Sequence, residues 1–140
     1  MLTFTWQYYL DNPEFLALLN EENQHGARYL RRSRKVKEMH SPFVALIADI
    51  LRRGEASSEL RPDIDPVQLY ISIAALCYFY QSNSATLGTI FGRNLLAPQA
   101  KAERLAHMTD LLLAALRPTE SGALDRTAAR AIRFNRLVKT

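Results

Sequence analysis

The most distinctive hydrophobic pattern lies in residues 67–80, where apolar side chains fall on every side of a predicted helix. Asp65 can accept hydrogen bonds from free N–H groups, and Pro66 suits the first helical position. No further proline or glycine follows until Gly88. A helix at the surface of a globular domain should carry one apolar stripe and one polar face. This one is apolar nearly all round, so we expect both of its sides to be covered.

The energy at stake supports that expectation, because each large apolar side chain left in water forgoes roughly 1.5–3 kcal/mol. Five such side chains would rival the total stability of an ordinary domain, about 5–15 kcal/mol. A membrane span needs about 20 apolar residues, and this run is shorter. The pattern therefore predicts a central helix with one side in the domain core and the other against a second chain or a ligand.

Other segments also show helical spacing. We predict helices over residues 2–10, from Asn12-Pro13 to Gly26, over 27–39, from Ser41-Pro42 to about Arg53, around 87–91, and from Pro98 to Leu116. Residues 55–64 read as a loop, and Pro118 should end the last helix. The fold class is all-α, an antiparallel bundle of about six helices. We expect a helical domain over residues 1–118 and a basic C-terminal tail over 119–140.

The charge distribution and the cysteine content do not indicate a specific function. Residues 118–140 hold 5 of the 18 Lys and Arg and 2 of the 14 Asp and Glu, so most of the net charge of +4 belongs to the tail. The tail would suit nucleic acid or an anionic membrane surface, but a disordered tail is favoured. Cys77 is the single cysteine, which excludes an intrachain disulfide and fits the cytoplasm. No secretion signal is evident.

Enzyme and metal motifs are not found. The chain has no phosphate-binding glycine loop, no Gly-x-Ser-x-Gly and no His-Glu-x-x-His. His25, His40 and His107 lack the spacing of metal ligands. We therefore expect neither catalysis nor a metal or cofactor. For Cys77, a small buried hydrophobe is the favoured interpretation over a redox sensor.

The order of several short motifs resembles the C-terminal regulatory domain of TetR-type transcriptional regulators. The most specific is Asp63-x-Asp65-Pro66 at the entry to an apolar helix. The others are Asn12-Pro13-Glu14-Phe15, Leu18 to Asn23, Arg28 to Ser33, Ser41-Pro42, Gly54-Glu55-Ala56 and Arg117-Pro118. In this family a helix-turn-helix enters the DNA major groove. Such a module is not present in these 140 residues, so DNA binding is implied only for a parent protein.

The resemblance implies a homodimer held by the two long helices 65–82 and 98–116, and a pocket for an unknown small hydrophobic or amphipathic effector. The expected interface residues are Leu69, Ile73, Leu76, Phe79, Tyr80, Leu105, Met108, Leu112 and Leu116. Effector sites are mostly apolar with a few polar anchors, and the candidates are Trp6, Tyr9, Phe15, Asn23, Tyr70, Ala74 and Tyr78. The alternative is a helical dimerisation or adaptor module with no small-molecule site.

Overall fold

The computed structural model describes residues 1–118, apart from the side chains of residues 34–41. Within that range the chain is all-helical, as predicted, with no strand. The predicted tail over 119–140 lies outside the described residues. The helices are α1 (Leu2–Asp11), α2 (Pro13–Gln24), α3 (Arg34–Ala56), α4 (Pro66–Ser82), α5 (Ser84–Phe91) and α6 (Pro98–Leu116), with a 3₁₀ turn at Leu30–Arg32.

Helix α4 begins as its sequence predicts. The carboxylate of Asp65 accepts hydrogen bonds from the backbone N–H groups of Val67 at 2.7 Å and Gln68 at 3.2 Å. Pro66 follows at the first helical position. Together they satisfy the N–H groups that a helix start leaves free.

The buried residues of α4, which are Leu69, Ile73, Cys77 and Tyr80, recur on one face of the helix and enter two adjoining clusters. The first core joins α1, α2, α4 and α6 and consists of Trp6, Tyr9, Leu16, Cys77, Tyr80 and Met108. The second core joins α3 and α4 and consists of Ile47, Leu51, Leu69 and Ile73. Leu2 packs against both. The two cores thus cover one face of α4 at different points along its length, and the apolar residues on the other side remain exposed.

The boundary between α2 and α3 differs from the prediction. Instead of a helix over 27–39 and a new start at Ser41-Pro42, the chain turns at 25–29, forms the 3₁₀ turn, and continues as one helix containing Pro42. Gly26 and Ala27 both have positive φ, 63° and 58°, which ends α2. A proline inside a helix removes one backbone hydrogen bond, so proline is better tolerated in the first turn. Ser41-Pro42 was therefore predicted to start a helix, but α3 already runs through it.

Helix α3 ends in a Schellman motif with serine at the left-handed position. Ser58 has φ 58°, its N–H donates to the carbonyl of Glu55 at 3.0 Å, and Glu59 N–H donates to the carbonyl of Gly54 at 2.9 Å. These are the two hydrogen bonds that define the motif, whose left-handed residue is usually glycine.

We expect Ser58→Gly to raise the free energy of unfolding by about 0.5–1 kcal/mol, because glycine adopts positive φ without a Cβ penalty. The matched control is Ser57→Gly, since Ser57 has an ordinary φ of −86° and should lose stability instead. Urea denaturation of the two variants, at one protein concentration, measures both effects. Equal changes in the two variants would contradict the prediction.

The end of α6 is tied to the loop that precedes α4. The backbone N–H of Arg61 donates to the carbonyl of Leu116 at 2.9 Å, and its Nε donates to the carbonyl of Ala115 at 2.9 Å. Both acceptors lie in the last turn of α6, where carbonyl groups have no partner within the helix. Arg61 thus completes α6 from a distant part of the sequence.

Candidate functional site

Aromatic side chains of α1, α2 and α4 lie along the two cores. Phe15 and Tyr78 pack against the first core, which contains Tyr9, and Tyr70 packs against the second. We call Tyr8, Tyr9, Phe15, Tyr70 and Tyr78 the aromatic cluster. The ring centroid of Phe15 lies 5.5 Å from that of Tyr8 and 5.9 Å from that of Tyr9. Rings at such separations attract each other beyond the surface they bury.

Helices α2 and α3 meet α4 at different points along its length. Phe15 and Leu16 of α2 pack against the first core near Tyr78, whereas Phe43 of α3 lies edge-on to Tyr70, with ring centroids 5.6 Å apart. Ala74 lies between Tyr70 and Tyr78 at a spacing of four residues each way, and all three are half-buried. This stretch of α4 therefore keeps some of its surface accessible.

A polar group closes one end of the aromatic cluster. The hydroxyl of Tyr78 donates to the amide oxygen of Asn20. The amide nitrogen of Asn20 donates to the hydroxyl oxygen of Ser82 at 3.0 Å, and the Ser82 hydroxyl lies 3.2 Å from the amide oxygen. The tyrosine hydroxyl is thus already engaged by α2.

The structure brings some of the predicted effector residues together and leaves others apart. Tyr9, Phe15 and Tyr78 meet at the first core, and Tyr70 packs against the second core. Ala74 lies between Tyr70 and Tyr78 along α4 and is half-buried. Trp6 lies deeper in the first core, 5.5 Å from Tyr80 between ring centroids. Asn23 is exposed near the end of α2. Asn20, which the sequence analysis missed, makes the contact to α4; its place one turn after the buried Leu16 was the available signal.

Burial also sets the protonation of two groups here. Burial raises the pKa of Tyr9 to about 12, with smaller contributions from the charges of Tyr70, Cys77, Tyr78 and Tyr8. Burial raises the pKa of the Cys77 thiol to about 11, partly opposed by the Arg104 guanidinium. Cys77 is fully buried, so near neutral pH its thiol is protonated and inaccessible. Both facts favour the structural role over redox sensing.

The free energy of unfolding should fall as the pH rises from about 9 to 11. The Cys77 pKa is 9.0 without burial and about 11 when folded, so the unfolded chain releases its proton first and gains the stability of the thiolate. The loss is of order 2–3 kcal/mol. Cys77→Ala should flatten this part of the pH profile in urea denaturation. Tyr9, with its raised pKa, continues the decline from pH 10 to 12. An unchanged slope in Cys77→Ala would contradict the assignment.

The predicted interface residues divide by exposure. Leu69, Ile73, Tyr80 and Met108 are buried within the chain itself. Leu76, Leu105, Leu112 and Leu116 are half-buried, packed against the two cores. Phe79 is exposed. The four buried residues are therefore not accessible to a second subunit, and only the exposed and half-buried residues could contact one.

Helix α4 carries an exposed apolar stripe of its own. We call Val67, Ile71, Ala75 and Phe79 the outer stripe; they recur every four residues, and all four are exposed. Helix α6 exposes Leu111 and Leu113 as well. Single exposed apolar side chains are ordinary, but a stripe along a helix marks an interaction surface. The sequence pattern predicts an apolar face of α4 for a partner, but of the five α4 residues expected in the interface only Phe79 belongs to the outer stripe.

Arg104 links α4 and α6 within the first core. Its guanidinium carbon lies 5.4 Å from the ring centroid of Tyr80, and one terminal nitrogen donates to the carbonyl of Leu76 at 3.4 Å. Burial raises the pKa of Tyr80, and the Arg104 charge opposes that rise. The Tyr80 hydroxyl donates to the carbonyl of Leu95 at 2.8 Å. Tyr80 is thus a structural link to the α5–α6 connection.

A groove of about 200 Å³ lies elsewhere, where the end of α3 meets the start of α4. It includes the charged side chains of Arg52, Glu55, Arg61 and Asp63 and none of the predicted effector residues. Among the described residues, no cluster of His, Cys, Asp and Glu could hold a metal ion. None of the described helices is long and apolar enough to span a membrane.

Comparison with known proteins identifies the family. Residues 1–112 match the family model described as "Tetracyclin repressor-like, C-terminal domain". The chain belongs to this TetR C-terminal domain family. The match covers all helices except the end of α6, and it confirms the resemblance read from the motif order. No solved structure matches the chain.

A curated relative agrees with this TetR assignment. The chain is 37% identical over 117 residues to the HTH-type transcriptional repressor NicS of Pseudomonas putida (strain KT2440). The aligned part is 84% of this chain but 55% of the relative, so the chain spans about half of that repressor's length. A family of transcriptional regulators, rather than of enzymes, is thereby indicated.

Proposed function

We propose that this TetR domain binds a small effector and forms a homodimer, and that the effector controls DNA binding by a helix-turn-helix module outside these 140 residues. The observation that supports the effector half is the half-buried row Tyr70, Ala74 and Tyr78 of α4, together with the rings of Tyr9 and Phe15 at the first core. Its surface is half-buried and apolar, with polar groups at one edge, which is the usual composition of small-molecule sites. Tyr9, Phe15, Tyr70, Ala74 and Tyr78 are its proposed lining, Trp6 supports it from the core, and Asn20 replaces Asn23 as the polar anchor.

The outer stripe supports the dimer half of the proposal. Val67, Ile71, Ala75 and Phe79 are exposed along one helix, and burying a large apolar side chain stabilises by roughly 1.5–3 kcal/mol. A symmetric dimer brings the same stripe from both subunits together. With Leu111 and Leu113 of α6, the stripe supplies the apolar centre of an interface of standard size, about 800 Å² per partner. Leu76, Leu105, Leu112 and Leu116 would lie at its base.

The mechanism follows from placing both surfaces on one helix. Tyr70, Ala74 and Tyr78 form a half-buried row along α4, and Ile71, Ala75 and Phe79 are the exposed residues beside them. An effector that favours one position of α4 would thereby favour one arrangement of the two subunits. It changes DNA affinity only by its difference in affinity for the DNA-competent and incompetent states.

Native mass spectrometry of the purified chain at low micromolar concentration tests both halves. A dimer carrying additional small-molecule mass is expected and would begin to identify the effector. A bare dimer that also takes up no added compound would favour the adaptor alternative. A monomer at every concentration tested would overturn the proposed interface.

A further inference from the structure

We propose that the guanidinium of Arg104 forms an ion pair across the dimer with Asp110 of the partner subunit. The ion pair would occur twice in each dimer, because a twofold symmetric dimer repeats every contact. The inference rests on the proposed homodimer and adds the charged pair that fixes how the two subunits meet.

The first observation is a cation that lacks a counter-charge. Among the described residues, both ion pairs involve Asp49, so neither includes Arg104. The Nε of Arg104 is enclosed and has no hydrogen-bond partner there. The other contacts of the guanidinium are weak: its carbon lies 5.4 Å from the ring centroid of Tyr80, and Nη2 donates to the carbonyl of Leu76 at 3.4 Å. A partly desolvated charge in this state is costly, and a carboxylate offsets part of that cost.

The second observation is where this guanidinium reaches the surface. Arg104 is half-buried, and its Nη1 has no hydrogen bond within residues 1–118 and is not enclosed. Arg104 and the exposed Leu111 are seven residues apart on α6, so they share one side of that helix. Leu111 belongs to the surface proposed to meet the second subunit. A side chain of a second copy can therefore reach Nη1 at this surface.

The third observation is the supply of acids on the two helices proposed to form the interface. Helix α4 contains no aspartate or glutamate, and α6 contains Glu103 and Asp110. Glu103 already accepts a hydrogen bond from Gln99 at 2.9 Å. Asp110 is exposed, and in the part of the chain that the structure describes its side chain has neither a hydrogen bond nor an ion pair. Asp110 is thus the carboxylate available to Arg104.

The two residues do not pair within one subunit. Arg104 and Asp110 are six residues apart on α6, which separates them by about 9 Å along the helix and by about 120° around it. Their side chains therefore leave the helix in different directions. An ion pair between these residues requires two chains, so it can be tested through association.

Charge reversal in two separate variants tests the inference. Arg104→Glu and Asp110→Arg should each weaken the dimer at least about thirtyfold, because each homodimer then contains two contacts between like charges. An equimolar mixture of the two variants should dimerise again, with a dissociation constant within about tenfold of the wild type. In the mixed dimer the two introduced charges attract each other, and the two native residues form the second pair. Analytical ultracentrifugation measures the association, and native mass spectrometry separates heterodimers from homodimers by mass.

Glu103→Arg is the matched control, because it reverses the charge of the other acid on α6. Mixed with Arg104→Glu, it should not restore the dimer. A second comparison does not depend on the folding of Arg104→Glu. Asp110→Asn changes an exposed side chain and should weaken the dimer at least about fivefold, whereas Glu103→Gln should leave the dissociation constant unchanged.

The outcomes separate the ion pair from the dimer. If the wild type is a dimer and both reversed variants are folded by circular dichroism, a mixture that stays monomeric would overturn the ion pair and leave the dimer standing. Equal recovery with Glu103→Arg, or unchanged association of Asp110→Asn, would have the same meaning. A wild-type chain that is monomeric at every concentration tested would overturn the ion pair and the proposed dimer together.

Discussion

Substituting Ile71 with arginine should convert the proposed dimer of this TetR domain into monomers. Ile71 lies in the outer stripe and is 50% exposed in the single chain, so the change should leave the fold intact. In a symmetric interface each copy would bury an unpaired guanidinium, and the cost is incurred twice. We expect the dimer dissociation constant to rise by at least about a hundredfold. Analytical ultracentrifugation over a range of concentrations measures it.

The matched control for this experiment is Leu46→Arg. Leu46 is 51% exposed and lies on α3, away from the outer stripe. This variant should remain dimeric with an unchanged circular dichroism spectrum. Dissociation of Leu46→Arg together with persistence of the Ile71→Arg dimer would move the interface from α4 to α3.

Replacing Ile47 with alanine should cost about 2–5 kcal/mol of unfolding free energy, a large part of the stability of an ordinary domain. Ile47 is 1% exposed and lies in the second core with Leu51, Leu69 and Ile73. The truncation leaves a cavity there that rigid helices cannot fill by collapsing. Urea denaturation at fixed protein concentration measures the loss, because the proposed dimerisation would make the apparent stability depend on concentration.

The neighbouring Leu46→Ala provides the comparison for Ile47→Ala. Leu46 is half exposed, and surface truncations usually change stability by no more than about 0.5 kcal/mol. If the two variants lose similar stability, the assignment of Ile47 to a closed core is wrong.

Sequence could predict the fold where a local signal and the tertiary structure agree. The starts at Pro13, Pro66 and Pro98 were correctly placed, because a proline in the first turn loses no hydrogen bond. Ser41-Pro42 shows the same pattern of a capping residue followed by proline, but the start predicted there is wrong because Pro42 lies inside α3. Whether a proline begins a helix or interrupts one depends on what precedes it, and α3 already extends back to Arg34.

The site was harder to predict because burial depends on the packing of whole helices. Leu69, Ile71 and Ile73 are similar side chains within one turn and a half, yet Ile71 is exposed and its two neighbours are buried. Helical spacing gives relative direction, and only the neighbouring helices determine which direction is interior. Asn20 and Asn23 are another example. They are separated by less than one helical turn, yet only Asn20 forms a hydrogen bond with α4.

The attachment of Arg61 to the end of α6 has a mechanical consequence. Through its two bonds to Ala115 and Leu116, the loop entering α4 and the last turn of α6 share one anchor. A displacement of α4 along its axis would therefore act on the end of α6 through Arg61 and the short segment 62–64. The two helices proposed to meet the second subunit are thus connected through the hydrogen bonds of Arg61. Amide hydrogen exchange at the end of α6 should accordingly report movements that begin in α4.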